Sequence, residues 1–320
     1  MTGRKPGIIF MGTPQFAVPS LEILIQNDYP VMAVVTAADK PSGRGLKTRE
    51  PAVKMAAVAN GIPVLQPANL KDDAFREELR RFPADIFVVV AFRMLPEKIW
   101  SIPPMGTVNL HASLLPLYRG AAPINHAIIN GEKITGVTTF LIEKEIDTGK
   151  ILFQEKTEIA DSDNAGTLHD RLMHIGAGLL LKTVAAIADG TAVPLPQDKV
   201  PAPADLPRAP KIHKNDCRIN WEASVEKVYN YVRGLSPYPA AWTILHSGSR
   251  TVNLKIYEVE KIARVHYPSP GKVTVQKDKL IIDTGDGAVL VRKVQAEGRR
   301  AMAGTEFVKG FRPDSGAYCL

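Results

Sequence analysis

Hydrophobic and polar positions fall along this chain in alternating blocks. Ile8-Ile-Phe-Met11, Val31-Met-Ala-Val-Val35 and Asp85-Ile-Phe-Val-Val-Val-Ala91 contain continuous apolar runs of strand length, the pattern of strands buried on both faces. Between and around them lie amphipathic stretches at 20–25, at 51–60 (stopped by Gly61) and at 75–81. Gly12 ends the first strand, Thr13 suits a helix N-cap, and Pro14 suits the first helical position. Strands alternating with helices predict a doubly wound, mostly parallel Rossmann-like α/β sheet. On such sheets ligands bind outside the carboxyl ends of the strands.

Thr107-Val-Asn-Leu-His111 reads as a further strand, followed by a helix over 121–130, strands over 135–142 and 150–159, and a helix over 167–188 closed by Gly190. Six prolines then fall between 194 and 210, mixed with Asp and Lys, a composition that reads as a semi-rigid linker. Beyond it come a helix at 225–233 and short strand-like runs at 241–245, 252–257, 271–275, 279–283 and 288–291. Short strands with glycine-bearing turns suit a small all-β barrel of the OB type, although alternation alone fits a sandwich nearly as well. The expected division is a catalytic domain at 1–193, a linker at 194–210 and a second domain at 211–320.

Composition changes the picture in one respect. The 320 residues suffice for two domains, and the net charge is +7. Residues 1–206 hold 21 Lys and Arg against 22 Asp and Glu, whereas residues 207–320 hold 19 against 11. A cationic excess confined to one domain points to a polyanionic partner; by itself it fits RNA, DNA or a membrane surface. No run reads as a membrane span, and Gly7-Ile-Ile-Phe10 is too short for a signal-peptide core. Cys217 and Cys319 form neither a metal-spaced cluster nor a disulfide framework, and His126, His169, His174, His213, His246 and His266 show no ligand spacing. The expectation is a cytoplasmic, monomeric enzyme that needs no metal.

The chemistry sits at the end of the 107–111 strand. Asn109 and His111 are two residues apart, so an amide and an imidazole project from one face, where Ser113-Leu-Leu-Pro116 turns the chain. An amide that donates to a developing oxyanion, beside a group that moves protons, is what acyl transfer uses. His111 suits the proton shed by an attacking amine, or acts by charge or position alone. A nicotinamide enzyme is excluded: Gly12-Thr-Pro-Gln-Phe16 lacks the repeated glycines of a dinucleotide fingerprint.

The longer string, Asn109-Leu-His-Ala-Ser-Leu-Leu-Pro-Leu-Tyr-Arg-Gly120 followed by Asp147-Thr-Gly149, resembles the folate-dependent formyltransferases. The likeness begins at Ile9-Phe-Met-Gly-Thr-Pro14, passes through Lys40-Pro-Ser-Gly-Arg-Gly-Leu-Lys47, and extends essentially end to end. It implies transfer of the formyl group of 10-formyltetrahydrofolate to the α-amino group of an initiator methionyl-tRNA. By the same resemblance Asn109, His111 and Asp147 are the catalytic trio, and Ser113, Leu114, Leu115 and Pro116 contact the folate. Asp147 then orients His111, raises its basicity or holds a relaying water. The segment at 39–50 becomes a loop probing the acceptor stem with Arg44 at its tip and Lys47 nearby, while Arg299 and Arg300 represent the cations that bind tRNA phosphates. Within Ala91-Phe-Arg-Met-Leu-Pro96, a further pocket-lining segment, Arg93 stands where that family carries a small residue.

Overall fold

The structure is a computed structural model that describes residues 4–42, 47–262 and 269–320. They form two compact units that interleave in sequence. The first comprises Met1–Gly120, Thr135–Glu158 and His169–Arg208; the second comprises Ala121–Ile134, Ile159–Leu168 and Ala209–Leu320.

The first unit is built on a seven-stranded sheet. Its order, edge to edge, is Ile151–Glu158, Ile134–Leu141, Thr107–His111, Ile86–Val90, Ile8–Gly12, Val31–Val35 and Val64–Leu65. The pairings from Thr107–His111 through to Val64–Leu65 are parallel, and Ile134–Leu141 joins antiparallel. Ile8–Gly12 and Ile86–Val90 are buried at every position, in accord with their uninterrupted apolar sequence. Burying a side chain such as Phe87 or Ile9 contributes roughly 1.5–3 kcal/mol. The chain leaves the first strand differently from expectation. A 3₁₀ turn, Gln15–Ala17, precedes the helix Val18–Gln26, and Pro14 takes the cap position without a side-chain cap. The Ala17 N–H is satisfied by the Pro14 carbonyl at 3.0 Å, so Thr13 has no capping task.

The helix Ala165–Ala188 corrects another expectation. At 24 residues, with a mean hydropathy of 1.4 over its most apolar window, it is long and apolar enough to cross a membrane. His169, Asp170, Arg171 and His174 break up its first half and hide that length from a search for uninterrupted apolar runs. In the first unit its apolar side is core: Leu172, Leu180 and Val184 are fully buried. At Gly176 an added Cβ would lie 2.7 Å from Leu110 Cδ2, so glycine lets the helix close onto the 107–111 strand.

The second unit is an antiparallel sheet ordered Val273–Gln276, Lys279–Asp283, Ala288–Ala296, Arg250–Ile262, Ala241–Ser247, Tyr318–Cys319, with Met302–Ala303 also on Ala288–Ala296. A bridge from Lys272 to Tyr318 joins the two ends, and the Cys319 N–H donates to the Gly271 carbonyl at 2.7 Å. The sheet is therefore a nearly closed barrel, not a sandwich. Its interior is apolar, including Ile256, Ile282 and Val294.

The units differ from the 1–193, 194–210 and 211–320 division at three places: Ala121–Ile134 and Ile159–Leu168 fall in the second unit, and the stretch up to Arg208 in the first. The helix Pro123–Ile129 packs in the second unit against Val225–Leu235: Asn125 Nδ2 donates to the Gly234 carbonyl at 2.7 Å. A Cβ at Gly234 would approach Ile129 Cγ1 to 2.6 Å. The proline-rich stretch up to Arg208 belongs to the first unit, tied down by reciprocal backbone hydrogen bonds between Ile151 and Leu195. Proline density reports stiffness, and says nothing of what a stiff segment lies on.

Candidate active site

Asn109 and His111 occupy the carboxyl end of their strand, with Asn109 opposite Val89 and Leu110 opposite Val90 of the neighbouring parallel strand. His111 is buried. Its Nε2 lies 2.9 Å from the Tyr118 carbonyl oxygen. A carbonyl only accepts, so the neutral ring carries its proton on Nε2 and leaves Nδ1 as the basic nitrogen. Nδ1 faces Asp147 Oδ2 at 3.8 Å, beyond hydrogen-bond length yet close enough for charge to matter. Among the described residues the Asn109 carboxamide has no hydrogen-bond partner, and it is only half-buried. Its NH₂ is free to donate.

Asp147 is held from its own backbone outward. Its φ of 56° is left-handed, as is that of Tyr118 at 58°, a conformation uncommon for a non-glycine residue. Oδ2 accepts the Gly120 N–H at 2.9 Å. Gln197 Nε2 donates to the carbonyls of Asp147 at 2.9 Å and Gly149 at 2.8 Å. Gln197 Oε1 accepts from Arg119 Nε at 3.1 Å and Nη2 at 2.6 Å. Gly149 permits the loop to lie close, since a Cβ there would fall 1.7 Å from the Leu141 carbonyl oxygen.

The turn at 113–116 is more deeply embedded than a ligand-gripping loop need be. Ser113, Leu115 and Pro116 are buried. Thr138 Oγ1 donates to the Ser113 carbonyl at 2.7 Å and accepts the Leu115 N–H at 3.1 Å. Gln154 Nε2 donates to the Leu115 carbonyl at 2.8 Å, and Ser113 Oγ donates to the Leu117 carbonyl at 2.7 Å. Leu114 is partly exposed. At the end of Ile86–Val90, Arg93 donates to the Pro67 carbonyl at 2.9 Å and lies 5.4 Å from the Phe92 ring centre. The guanidinium therefore ties 91–96 to 67–68. Thr138, Gln154 and Gln197 carry no motif that marks them in the sequence.

Residues 6–184 match the family described as Formyl transferase, and residues 211–312 match its C-terminal domain. The chain belongs to the formyl transferase family. A methionyl-tRNA formyltransferase of Bacteroides fragilis is 47% identical over 306 residues, covering 95% of this chain and 94% of that protein. The N-formyltransferase from Helicobacter canadensis, solved with folinic acid and dTDP-3-aminofucose, has a TM-score of 0.64 at 20% identity, covering 90% of this chain and 98% of that one. HypX from Aquifex aeolicus, solved with tetrahydrofolic acid, has a TM-score of 0.62 at 17% identity, covering 97% of this chain but 49% of that one. The chain thus spans about half the length of HypX. At these identities the two structures speak for the fold alone.

In this formyl transferase the cations singled out from sequence are placed unequally. Arg44 lies outside the described residues, and of Lys47 only the backbone is described, pairing with Ser42. At the foot of that hairpin, Lys54 Nζ donates to Asp39 Oδ2 at 2.6 Å and lies 2.7 Å from Glu50. Hydrogen bonds from Lys54 and then Gln66 hold the Asp39 carboxyl below the usual range. Arg299 and Arg300 are both exposed; Arg300 pairs with Glu306 at 3.2 Å, and Arg299 makes no ion pair among the described residues. The second unit also holds an open cavity of about 770 Å³, lined in part by Lys211, Lys214, Lys255, Asn253, Tyr238 and Trp242. Among the described residues no three His, Cys, Asp or Glu side chains gather to hold a metal.

Proposed function

We propose that this chain transfers the formyl group of 10-formyltetrahydrofolate to the α-amino group of initiator methionyl-tRNA, giving N-formylmethionyl-tRNA and tetrahydrofolate. The observation that carries the reading is a free amide and a tautomer-fixed imidazole side by side at a strand end. They lie in a chain matched over 95% of its length by a relative named for that reaction. The amine nitrogen attacks the formyl carbon, and the carbonyl π electrons move onto oxygen. Asn109 donates to that oxyanion. His111 takes the amine proton at Nδ1 and returns it to the leaving folate nitrogen as the tetrahedral intermediate collapses. Once protonated, the ring faces Asp147 at 3.8 Å, an attraction of roughly 4 kcal/mol at an effective dielectric near 20.

Leu114 offers apolar surface to the folate, and Ser113, Leu115 and Pro116 fix its shape. Contact with tRNA falls to the cations of the second unit, including Arg299, Arg300 and those around the cavity, where Trp242 and Tyr238 offer faces for stacking. Arg44 and Lys47 supply discrimination: Arg44→Ala should lower kcat/KM for initiator tRNA far more than non-specific RNA binding. The enzyme works as a cytoplasmic monomer, which light scattering at working concentration checks. The deciding assay supplies labelled 10-formyltetrahydrofolate with charged initiator tRNA, charged elongator tRNA or no acceptor. Label released to water without a tRNA preference would sink the reading in favour of a hydrolase or a small-acceptor enzyme.

A further inference from the structure

The proline-rich stretch ahead of the second unit contains one deeply buried amide, Gln197, only 6% exposed, that nothing in the reaction above employs. Its hydrogen bonds run to Arg119 and to the Asp147 loop. Its carbonyl oxygen receives both Nε and Nη2 of Arg119, and its NH₂ spans the carbonyls of Asp147 and Gly149. Gly120, the residue after Arg119, returns a backbone N–H to the Asp147 carboxylate. The result is a closed ring: Arg119 to Gln197, Gln197 to the Asp147 backbone, the Asp147 side chain to Gly120, and Gly120 back along the chain to Arg119.

The ring has work to do. Asp147 holds a left-handed φ, which a free loop of L-residues would abandon. Two carbonyls pinned by one amide remove that freedom at both ends of the 147–149 turn. The orientation matters because the carboxylate faces His111 Nδ1, and His111 is fixed through Nε2 by Tyr118, one residue before Arg119. A purely hydrophobic contact would fill the space but could not set the carbonyl directions.

We infer that Gln197 is a positioning residue for the formyl transfer, acting through Asp147: its amide sets the backbone of the carboxylate that faces the catalytic imidazole. The inference rests on the assignment of Asp147 to the reaction, and the test separates the two. In the full chain, Gln197→Ala, Gln197→Glu, Asp147→Asn and the two double variants are assayed with 10-formyltetrahydrofolate and methionyl-tRNA, and their thermal unfolding is followed. Gln197→Glu keeps the length and the Arg119 contact but presents an acceptor to two carbonyls.

Each Gln197 variant should lower kcat by about 10- to 100-fold, the range expected when a reacting group is displaced by up to about 1 Å. KM for both substrates should stay within about threefold. In the Asp147→Asn background the same changes should cost less than about twofold more, because groups that act as one unit are not additive. Full kcat in Gln197→Ala, multiplicative losses in the double variants, or a raised KM at unchanged kcat would each overturn the inference. Unfolding of both single Gln197 variants would assign the residue to stability and overturn it as well. Full activity in Asp147→Asn would instead remove the reading of Asp147, and the inference with it.

Discussion

The two units handle polar groups in opposite ways. Around His111 most polar atoms are held in pairs: Nε2 on a carbonyl, a carboxylate on a backbone N–H, an amide between an arginine and two carbonyls. Around the barrel most cations are exposed, with Arg233 a buried exception. Arg292 pairs with Glu260 and Arg300 with Glu306, while Lys211, Lys214, Lys255 and Arg299 make no ion pair among the described residues. A largely paired network fixes position while leaving the Asn109 amide and His111 Nδ1 open for the reaction, and an error of about 1 Å in it is expensive in rate. Exposed charge fixes little, but it attracts a polyanion at a distance and is screened by salt. On the proposed reading, one unit is organised for geometry and the other for affinity.

The sharpest way to break this contrast is at the strand end. Asn109→Ala or His111→Ala should cut turnover by roughly two orders of magnitude or more, with far smaller changes in tetrahydrofolate and tRNA binding. Near-full single-turnover rates at saturating substrate would remove the catalytic assignment. A matched pair of glycine substitutions comes next. In Gly149→Ala the new Cβ would meet the Leu141 carbonyl, moving the backbone beside Asp147. In Gly271→Ala it would lie 2.4 Å from the Cys319 carbonyl oxygen, at a φ of 81°. Each should cost at least about 1–3 kcal/mol of stability, as overpacking does. Only Gly149→Ala should lower kcat about tenfold or more, the scale of a small misplacement, whereas Gly271→Ala should act on tRNA affinity. Equal losses of kcat in both would mean that the units do not divide the work as argued.

A smaller effect concerns single phosphate contacts. Arg299→Gln should weaken initiator and elongator tRNA alike and flatten the salt dependence by about 0.7–0.9 in log–log slope. Arg300→Gln should do less, because Glu306 already occupies that guanidinium. Binding titrations across a salt series check both, and a larger effect for Arg300 would reverse the order.

The smallest effect at working pH arises in the barrel seam. Burial pushes the Cys319 thiol up to about 12. The unfolded chain ionises this group near 8.5 and so binds fewer protons above that pH. The contribution is complete below the unfolded value and is lost as pH rises toward 12, on the order of 1 kcal/mol per pH unit along the way. Cys319→Ala should therefore flatten the alkaline limb of stability measured by denaturant titration, and an unchanged limb would reject the thiol as its source.

Much of this was readable in the residues. Continuous apolar runs gave the parallel strands their identity, since burial on both faces leaves no room for polar alternation. Asn109 and His111 two apart on a strand declared a shared face. The short strands suited a barrel, but alternation alone could not tell it from a sandwich, because the Lys272–Tyr318 bridge that closes it joins segments far apart in sequence. Gln197 was invisible for a related reason: a glutamine among prolines has the composition of a linker, and its burial depends on what Leu195 pairs with. The apolar length of Ala165–Ala188 was masked by four ionisable residues in its first half. The helix Pro123–Ile129 reads correctly as a helix, but its partner lies about a hundred residues downstream.

That last separation sets a clock. The Pro123–Ile129 helix leaves the ribosome well before Val225–Leu235 exists to cover it. At about 5–20 residues per second, the wait is roughly 5–20 s. During that interval Ile129, which packs on the second unit's apolar core in the finished protein, has no such core to rest on. Nascent chains stalled near residue 215 should therefore bind a hydrophobic-surface dye or a holdase chaperone, and chains released at full length should not. For a cell making this enzyme, the order of synthesis opens a window of several seconds in which half-built copies are open to one another.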